Sequence, residues 1–275
     1  MKAMVFAAGL GTRLRPITDS LPKALVPVCG QPLLYHTLYK LKAAGYTDVV
    51  VNIHHFPQMI REYLATHDFG LNIGISDESD ALLETGGGIA HAKDLLLPTD
   101  EPFLVHNVDI VSNLDIAWFR ARMRPDALAT LLVSERQTQR YLLFRPDDMR
   151  LVGWTHIGTG EVRSPYPGLD PSACLRYAFA GIHNISPKIF EAFEEARMPE
   201  RFPIMDFYLD ACARHPIYGA VAQNLQLVDV GKIDTLPEAE RICRSLLGKT
   251  KKKNPSECLD SFVGTIGFEP MTSSM

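Results

Sequence analysis

A chain of 275 residues that is 46% hydrophobic has enough apolar side chain to bury a sizeable core, and one large α/β domain is the expectation. A net charge of −4 and an isoelectric point near 6.1 exclude a surface built to coat nucleic acid or an anionic membrane, so any anion site must be local. Five scattered cysteines without a C-x-x-C pair, no recognisable secretory leader and no run near the ~20 apolar residues of a membrane span point to a reducing cytoplasm.

Taken in chain order, Met4 to Ala8 is an apolar strand running into a glycine loop. Pro32 stands at a plausible first helical position. From it Leu34, Leu38 and Leu41 repeat at helical spacing until Gly45. Strands at Asp48 to Ile53 and Leu71 to Ile75 flank a helix at Pro57 to Thr66. A helix at Ile89 to Leu97 and a strand at Pro102 to Val105 continue the alternation. This is the βαβ pattern of a doubly wound parallel sheet.

From Asp126 the pattern turns strand-rich: Ala127 to Val133, Tyr141 to Phe144, Leu151 to Thr155 and Tyr177 to Ile182 read as antiparallel additions. Helices at Pro187 to Ala196 and Ile204 to Arg214 follow, then strands at Tyr218 to Ala222 and Gln226 to Val230. A last helix near Thr235 to Leu247 aligns Leu236, Ala239, Ile242, Cys243 and Leu246 on one face. The domain is therefore expected at 1–248. Residues 249–275, with a lysine run and then Asn-Pro and Gly/Ser/Thr, read as a disordered tail.

The loop Ala8-Gly9-Leu10-Gly11-Thr12-Arg13 lets backbone amides face outward, and such concavities bind anions. Gly-x-Gly by itself is also ordinary turn chemistry. A dinucleotide fingerprint would need glycine or alanine where Leu14 stands, and a Walker A loop would need Gly-Lys-Ser/Thr. Both are missing, which leaves a different phosphate loop, with Arg13 and Lys23 as its cations.

The run Ala-Ala-Gly-Leu-Gly-Thr-Arg-Leu-Arg-Pro-Ile-Thr, followed by Pro22-Lys23-Ala24-Leu25-Val26-Pro27-Val28 and Gly30-Gln31-Pro32-Leu33, resembles the signature of sugar-1-phosphate nucleotidylyltransferases. Further similarity appears at Glu84-Thr85-Gly86-Gly87-Gly88, Asn107-Val108-Asp109, Phe179-Ala180-Gly181-Ile182 and Val228-Asp229-Val230-Gly231, covering about residues 1–247. The compact length and the Glu-Thr-Gly-Gly-Gly form look most like N-acetylmuramate-1-phosphate uridylyltransferases, with mannose-1-phosphate guanylyltransferases near. The length leaves no room for the repeat-built C-terminal domain of larger relatives. The resemblance implies a Rossmann-like, doubly wound, mostly parallel mixed sheet, the nucleotide-diphospho-sugar transferase fold, with antiparallel strand additions.

It also implies transfer of a nucleotidyl group from a nucleoside triphosphate to a sugar 1-phosphate with release of pyrophosphate. Both substrates are strongly anionic, so catalysis is chiefly positioning and charge neutralisation. By resemblance Ala8, Gly9, Gly11, Thr12 and Arg13 meet the nucleotide and its β- and γ-phosphates. Lys23 stabilises charge around the α-phosphate, and Arg13 and Lys23 are the catalytic cations. Glu84, Gly86, Gly87 and Asn107 lie against nucleobase and ribose. Asp109 and Asp229 each end a predicted strand and read alone as turn or cap residues; with the family match they form a Mg²⁺ site. Glu161 and Gly181 are the candidates for the sugar.

Val108 stands where the family commonly has glycine, and its bulk is expected to alter the backbone approach to the nucleotide. His54-His55 and Cys29 carry no metal or nucleophile pattern. Trp118 and Trp154 are expected to pack against core or rim. A homo-oligomer is compatible with this reading. A cytidylyltransferase for a phosphorylated alcohol such as phosphocholine, or a silent nucleotide-sugar-binding subunit, would share the scaffold; the retained charged residues favour transfer.

Overall fold

The computed structural model describes residues 1–253, with side chains through Leu246, so residues 254–275 of the expected tail lie outside it. The first half runs β1 (Lys2–Phe6), a loop of short 3₁₀ turns, β2 (Pro27–Val28), β3 (Gln31–Pro32), α1 (Leu33–Ala43), β4 (Asp48–Ile53), α2 (Pro57–Thr66) and β5 (Asn72–Asp77). It continues with α3 (Glu84–His91), α4 (Lys93–Leu96), β6 (Phe103–Asn107), β7 (Ile110–Ser112) and α5 (Ile116–Arg120). The second half contributes β8 (Ala129–Ser134), β9 (Arg140–Phe144), β10 (Leu151–His156), β11 (Glu161–Arg163) and β12 (Leu175–Ile185). It closes with α6 (Ile189–Glu195), α7 (Ile204–Ala211), β13 (Ile217–Val221), β14 (Leu227–Asp229) and α8 (Leu236–Lys253).

The heart of the sheet is parallel, in the order β6-β1-β4-β5. Antiparallel β12 borders β6, and it also pairs with β8 and β9; β10 and β11 extend from β9. Strand β1 is Ala-Met-Val at its centre, fully buried on both faces as a parallel strand must be. Ala3 and Val5 join one core, roofed by Leu34, Leu38 and Leu41 of α1 and Ala239 and Ile242 of α8. Met4 faces the other, filled by Phe190, Phe207 and Tyr208. Strands β4 and β6 leave β1 on opposite sides, so the carboxyl ends of β1 and β6 open a crevice at a switch in strand order, where open α/β sheets bind ligands.

Several elements differ from expectation. Helix α3 begins at Glu84, so Gly86, Gly87 and Gly88 lie inside it and do not precede it. They are there for space: a Cβ at Gly86 would stand 2.2 Å from the Phe202 ring, and one at Gly87 2.3 Å from the Glu200 carbonyl oxygen. The amides of Gly86 and Gly87 donate to the Phe202 carbonyl, clamping the 200–202 strap onto the helix. Helix α8 runs to Lys253, beyond the expected boundary at 248. Strand β7 and helix α5 have no counterpart in the sequence reading.

Two buried histidines make stability pH-dependent. His106 Nδ1 donates to the Asn107 carbonyl, and His183 Nδ1 meets the Tyr208 hydroxyl at 2.7 Å. Burial pushes both imidazoles down to about 3, helped at His106 by the Lys40 charge. Each stays neutral in the fold but binds a proton in the unfolded chain below its ordinary value near 6.5. Their stabilisation is therefore present above about pH 6.5 and is lost as pH falls toward 3, at up to about 1.4 kcal/mol per pH unit for each histidine. Thermal melts at pH 7.5 and 5.5 should show this loss, and it should shrink in His183→Gln, whose amide still reaches Tyr208. An equal pH dependence in both proteins would contradict it.

Candidate active site

The phosphate loop is built from the end of β1. Ala7 and Ala8 amides donate to Asn52 Oδ1 at 2.7 and 3.3 Å, so the amides without a protein acceptor begin at Gly9. The amides of Gly9, Leu10 and Gly11 have no protein acceptor among the described residues. Gly11 sits at φ 65°, where a Cβ would come 2.8 Å from Thr18 Cγ2, and its carbonyl accepts from Thr18 Oγ1 and from the Leu14 amide. A side chain there would meet both backbone strain and a clash. Thr12 and Arg13 follow, exposed, on a 3₁₀ turn.

Lys23 begins another 3₁₀ turn after Pro22 and is only 9% exposed. Its Nζ donates to Asp109 Oδ2 as a close ion pair. Asp109 follows β6, and its carbonyl accepts from the Val230 amide at 2.8 Å. Antiparallel pairing of β7 and β14 sets Asp229 opposite Ile110, so the two aspartates meet from distant parts of the chain. A Cβ on Gly231 would lie 2.8 Å from Arg13 Nη2 and 2.9 Å from Asp229 Oδ1. Gly231 thus leaves the space between the Arg13 guanidinium and Asp229 that any side chain would fill.

Asp109 Oδ1 and Asp229 Oδ1 are both buried without a hydrogen-bond partner among the described residues. Burial pushes the Asp109 carboxyl up, the Asp229 charge adds to that, and Lys23 opposes it. Two unpartnered carboxylate oxygens beside each other are a donor set for a hard cation. No cluster of three or more His, Cys, Asp or Glu suited to a metal occurs among the described residues. Two carboxylates suit Mg²⁺, which completes its shell with water and substrate phosphates. The residues present therefore fit the ion.

Asn107 closes the crevice on the β12 side. Gly181, at φ 72°, lies at a register shift between Phe179 and His183, and a Cβ there would be 3.0 Å from Asn107 Nδ2. The structure thus gathers Gly9, Gly11, Arg13, Lys23, Asn107, Asp109, Gly181 and Asp229. Val108 does not intrude as expected: it is 4% exposed and packs into the core, while its amide donates to the Phe6 carbonyl.

Glu84 stands apart, at φ 63°, with its carboxylate on Arg201 at 3.0 Å. Gly86 and Gly87 are buried beneath the 200–202 strap and pack closely against Phe202 and Glu200. Glu161 is exposed on β11, the outermost strand of the hairpin, opposite His156.

Asn52, Glu78, Thr18 and Gly231 are site residues that sequence reasoning did not single out. Asn52 had a signal, as the one polar side chain inside the apolar run Val49 to Ile53. Thr18 had none.

Free amides and two cations beside the carboxyl ends of parallel β1 and β6, with Asp109 after β6 and Asp229 brought in by the antiparallel β7–β14 pair, suit a protein that handles phosphoanhydrides. Residues 2–149 match the nucleotidyl transferase family, and the chain belongs to it. It is 31% identical over 245 residues to the N-acetylmuramate alpha-1-phosphate uridylyltransferase of Neisseria meningitidis, covering 88% of this chain and 98% of that protein. The enzyme of the same name from Caulobacter vibrioides is 37% identical over 195 residues, with 68% and 76% covered. The fold matches a crystal structure assigned as a glucose-1-phosphate thymidylyltransferase of Bacillus anthracis, with a TM-score of 0.72 at 21% identity over 89% of this chain and 95% of that one.

Proposed function

We propose that this chain transfers a nucleotidyl group from a nucleoside triphosphate to a sugar 1-phosphate, giving a nucleotide sugar and pyrophosphate. The observation that carries it is the meeting of the free amides of Gly9 to Gly11, Arg13, Lys23 and the Asp109–Asp229 pair in one crevice. The amide loop and Arg13 hold the β- and γ-phosphates that depart. Lys23 offsets the negative charge that gathers around the α-phosphate as the sugar-phosphate oxygen attacks in line. Asp109 and Asp229 would hold Mg²⁺, which supplies neutralisation of the phosphate oxygens when bound. Asn107 borders the nucleotide, and Gly181, against Asn107, borders the sugar of the acceptor.

The acceptor is N-acetylmuramate α-1-phosphate and the donor UTP in the finer reading, supported by the two relatives of that name. The catalytic unit is 1–248, and the compartment is the cytoplasm; no helix among the described residues is long and apolar enough to cross a membrane. Pyrophosphate release from five nucleoside triphosphates against a panel of sugar 1-phosphates and phosphocholine tests this. Release should be greatest with UTP and the muramate phosphate. Release only with CTP and phosphocholine would move the acceptor class, and release with no pair would overturn transfer itself.

A further inference from the structure

We propose that Asn52 and Glu78 are positioning residues for the nucleoside triphosphate: a buried relay that fixes the phosphate loop and ties it to helix α3. The inference rests on the nucleotidyl-transfer reading above. Asn52, on β4 beside Phe6 of β1, is 1% exposed, and Glu78, just past β5, is 2% exposed. Asn52 Oδ1 accepts from Ala7 and Ala8, and Asn52 Nδ2 donates to Glu78 Oε1 at 2.7 Å. The amide has one workable orientation. Reversed, it would aim Nδ2 at two N–H donors and its oxygen at a carboxylate.

Glu78 is in turn seated against α3. A Cβ at Gly88 would come 2.8 Å from Glu78 Oε1 and 3.1 Å from the Phe6 ring, and the other carboxylate oxygen faces the Leu83 amide at 3.5 Å. Its own amide donates to the Ile53 carbonyl at the end of the β4–β5 ladder. The chain of contacts therefore runs from the residues just before the free amides of Gly9 to Gly11, through Asn52 and Glu78, to the start of the glycine helix. A strand-end cap alone would need only the asparagine. The carboxylate behind it, almost wholly buried, costs desolvation that a simple cap does not require.

The pair can be tested by reversing its polarity. Asn52→Asp places a second carboxylate against Glu78. Adding Glu78→Gln lets the aspartate oxygens accept from Ala7, Ala8 and the glutamine amide together. Loss of the Asn52 acceptor in Asn52→Ala leaves two buried donors unmet, and kcat/KM for the triphosphate should fall ~10-fold or more with KM for the sugar phosphate unchanged. Asn52→Asp should lose at least as much, and the double variant should return to within ~3-fold of the starting enzyme.

Equilibrium binding of UTP, with circular dichroism and melting temperature as fold controls, separates the two levels of inference. An enzyme that binds UTP but makes no nucleotide sugar would sink the transfer reading, and the relay would still be judged on binding. Equal loss in Asn52→Asp and in the folded double variant, or equal effects on both substrates, would overturn the relay. If Asn52→Ala fails to fold, the double variant decides.

Discussion

Replacing Lys23 by alanine should lower turnover by about 10²–10³-fold, the scale of removing one preorganised charge from a developing oxyanion. Two effects act together. The first is direct, because the ammonium at the mouth of the amide loop would no longer meet the charge around the α-phosphate. The second passes through Asp109, whose carboxyl burial and Asp229 already push up. Without Lys23 only a backbone hydrogen bond opposes that push, and the carboxylate is a poorer metal ligand. Breaking a buried pair also destabilises the fold, by up to about 3–5 kcal/mol unless Asp109 protonates. Steady-state kinetics with a parallel melt separates the two losses. A folded Lys23→Ala protein with unchanged turnover would remove Lys23 from the mechanism.

Asp229→Asn should act in opposite directions on activity and stability. Its Oδ1 is buried and unpartnered, and its charge repels Asp109. Removing that charge should raise the melting temperature of the metal-free protein, by about 1 kcal/mol of stability for a like-charge contact relieved. The same change should cost about 100-fold in kcat/KM and move the Mg²⁺ titration to higher concentration, since one of two carboxylate ligands is lost. A structural aspartate would behave differently. If the variant were less stable in EDTA and kept its metal dependence, Asp229 would be a strand-end residue and no ligand.

The parallel half of the fold was legible because its signals are local. Pro57 opens α2, Pro32 and Gly45 bracket α1, and the apolar runs of β1 and β4 are as buried as their composition implies. The glycines at 86–88 misled for a physical reason. Their need for close approach comes from Phe202 and Glu200, more than a hundred residues away, and local propensity favours a loop. The partners of Asp109 were readable only as types. That Asp229 meets it depends on the β7–β14 pairing, and β7 is a strand of three residues with no periodicity to find. The loop amides were read as a set, whereas Asn52 holds those of Ala7 and Ala8 and the amides without a protein acceptor begin at Gly9, a difference set by a residue on another strand. Glu161 was a position inferred from a resemblance, and β11 is short and exposed on both sides, leaving little in its pattern to aim a side chain.

In this crevice the α-phosphorus of a nucleoside triphosphate should pass to a sugar phosphate. The most direct measurement follows the label from [α-³²P]UTP incubated with N-acetylmuramate α-1-phosphate, Mg²⁺ and the protein. The expected result is label in a UDP-sugar, formed one for one with pyrophosphate and slowed about 10²–10³-fold in Lys23→Ala. Label appearing in UMP, or remaining in UTP while the protein is folded and nucleotide-bound, would contradict it.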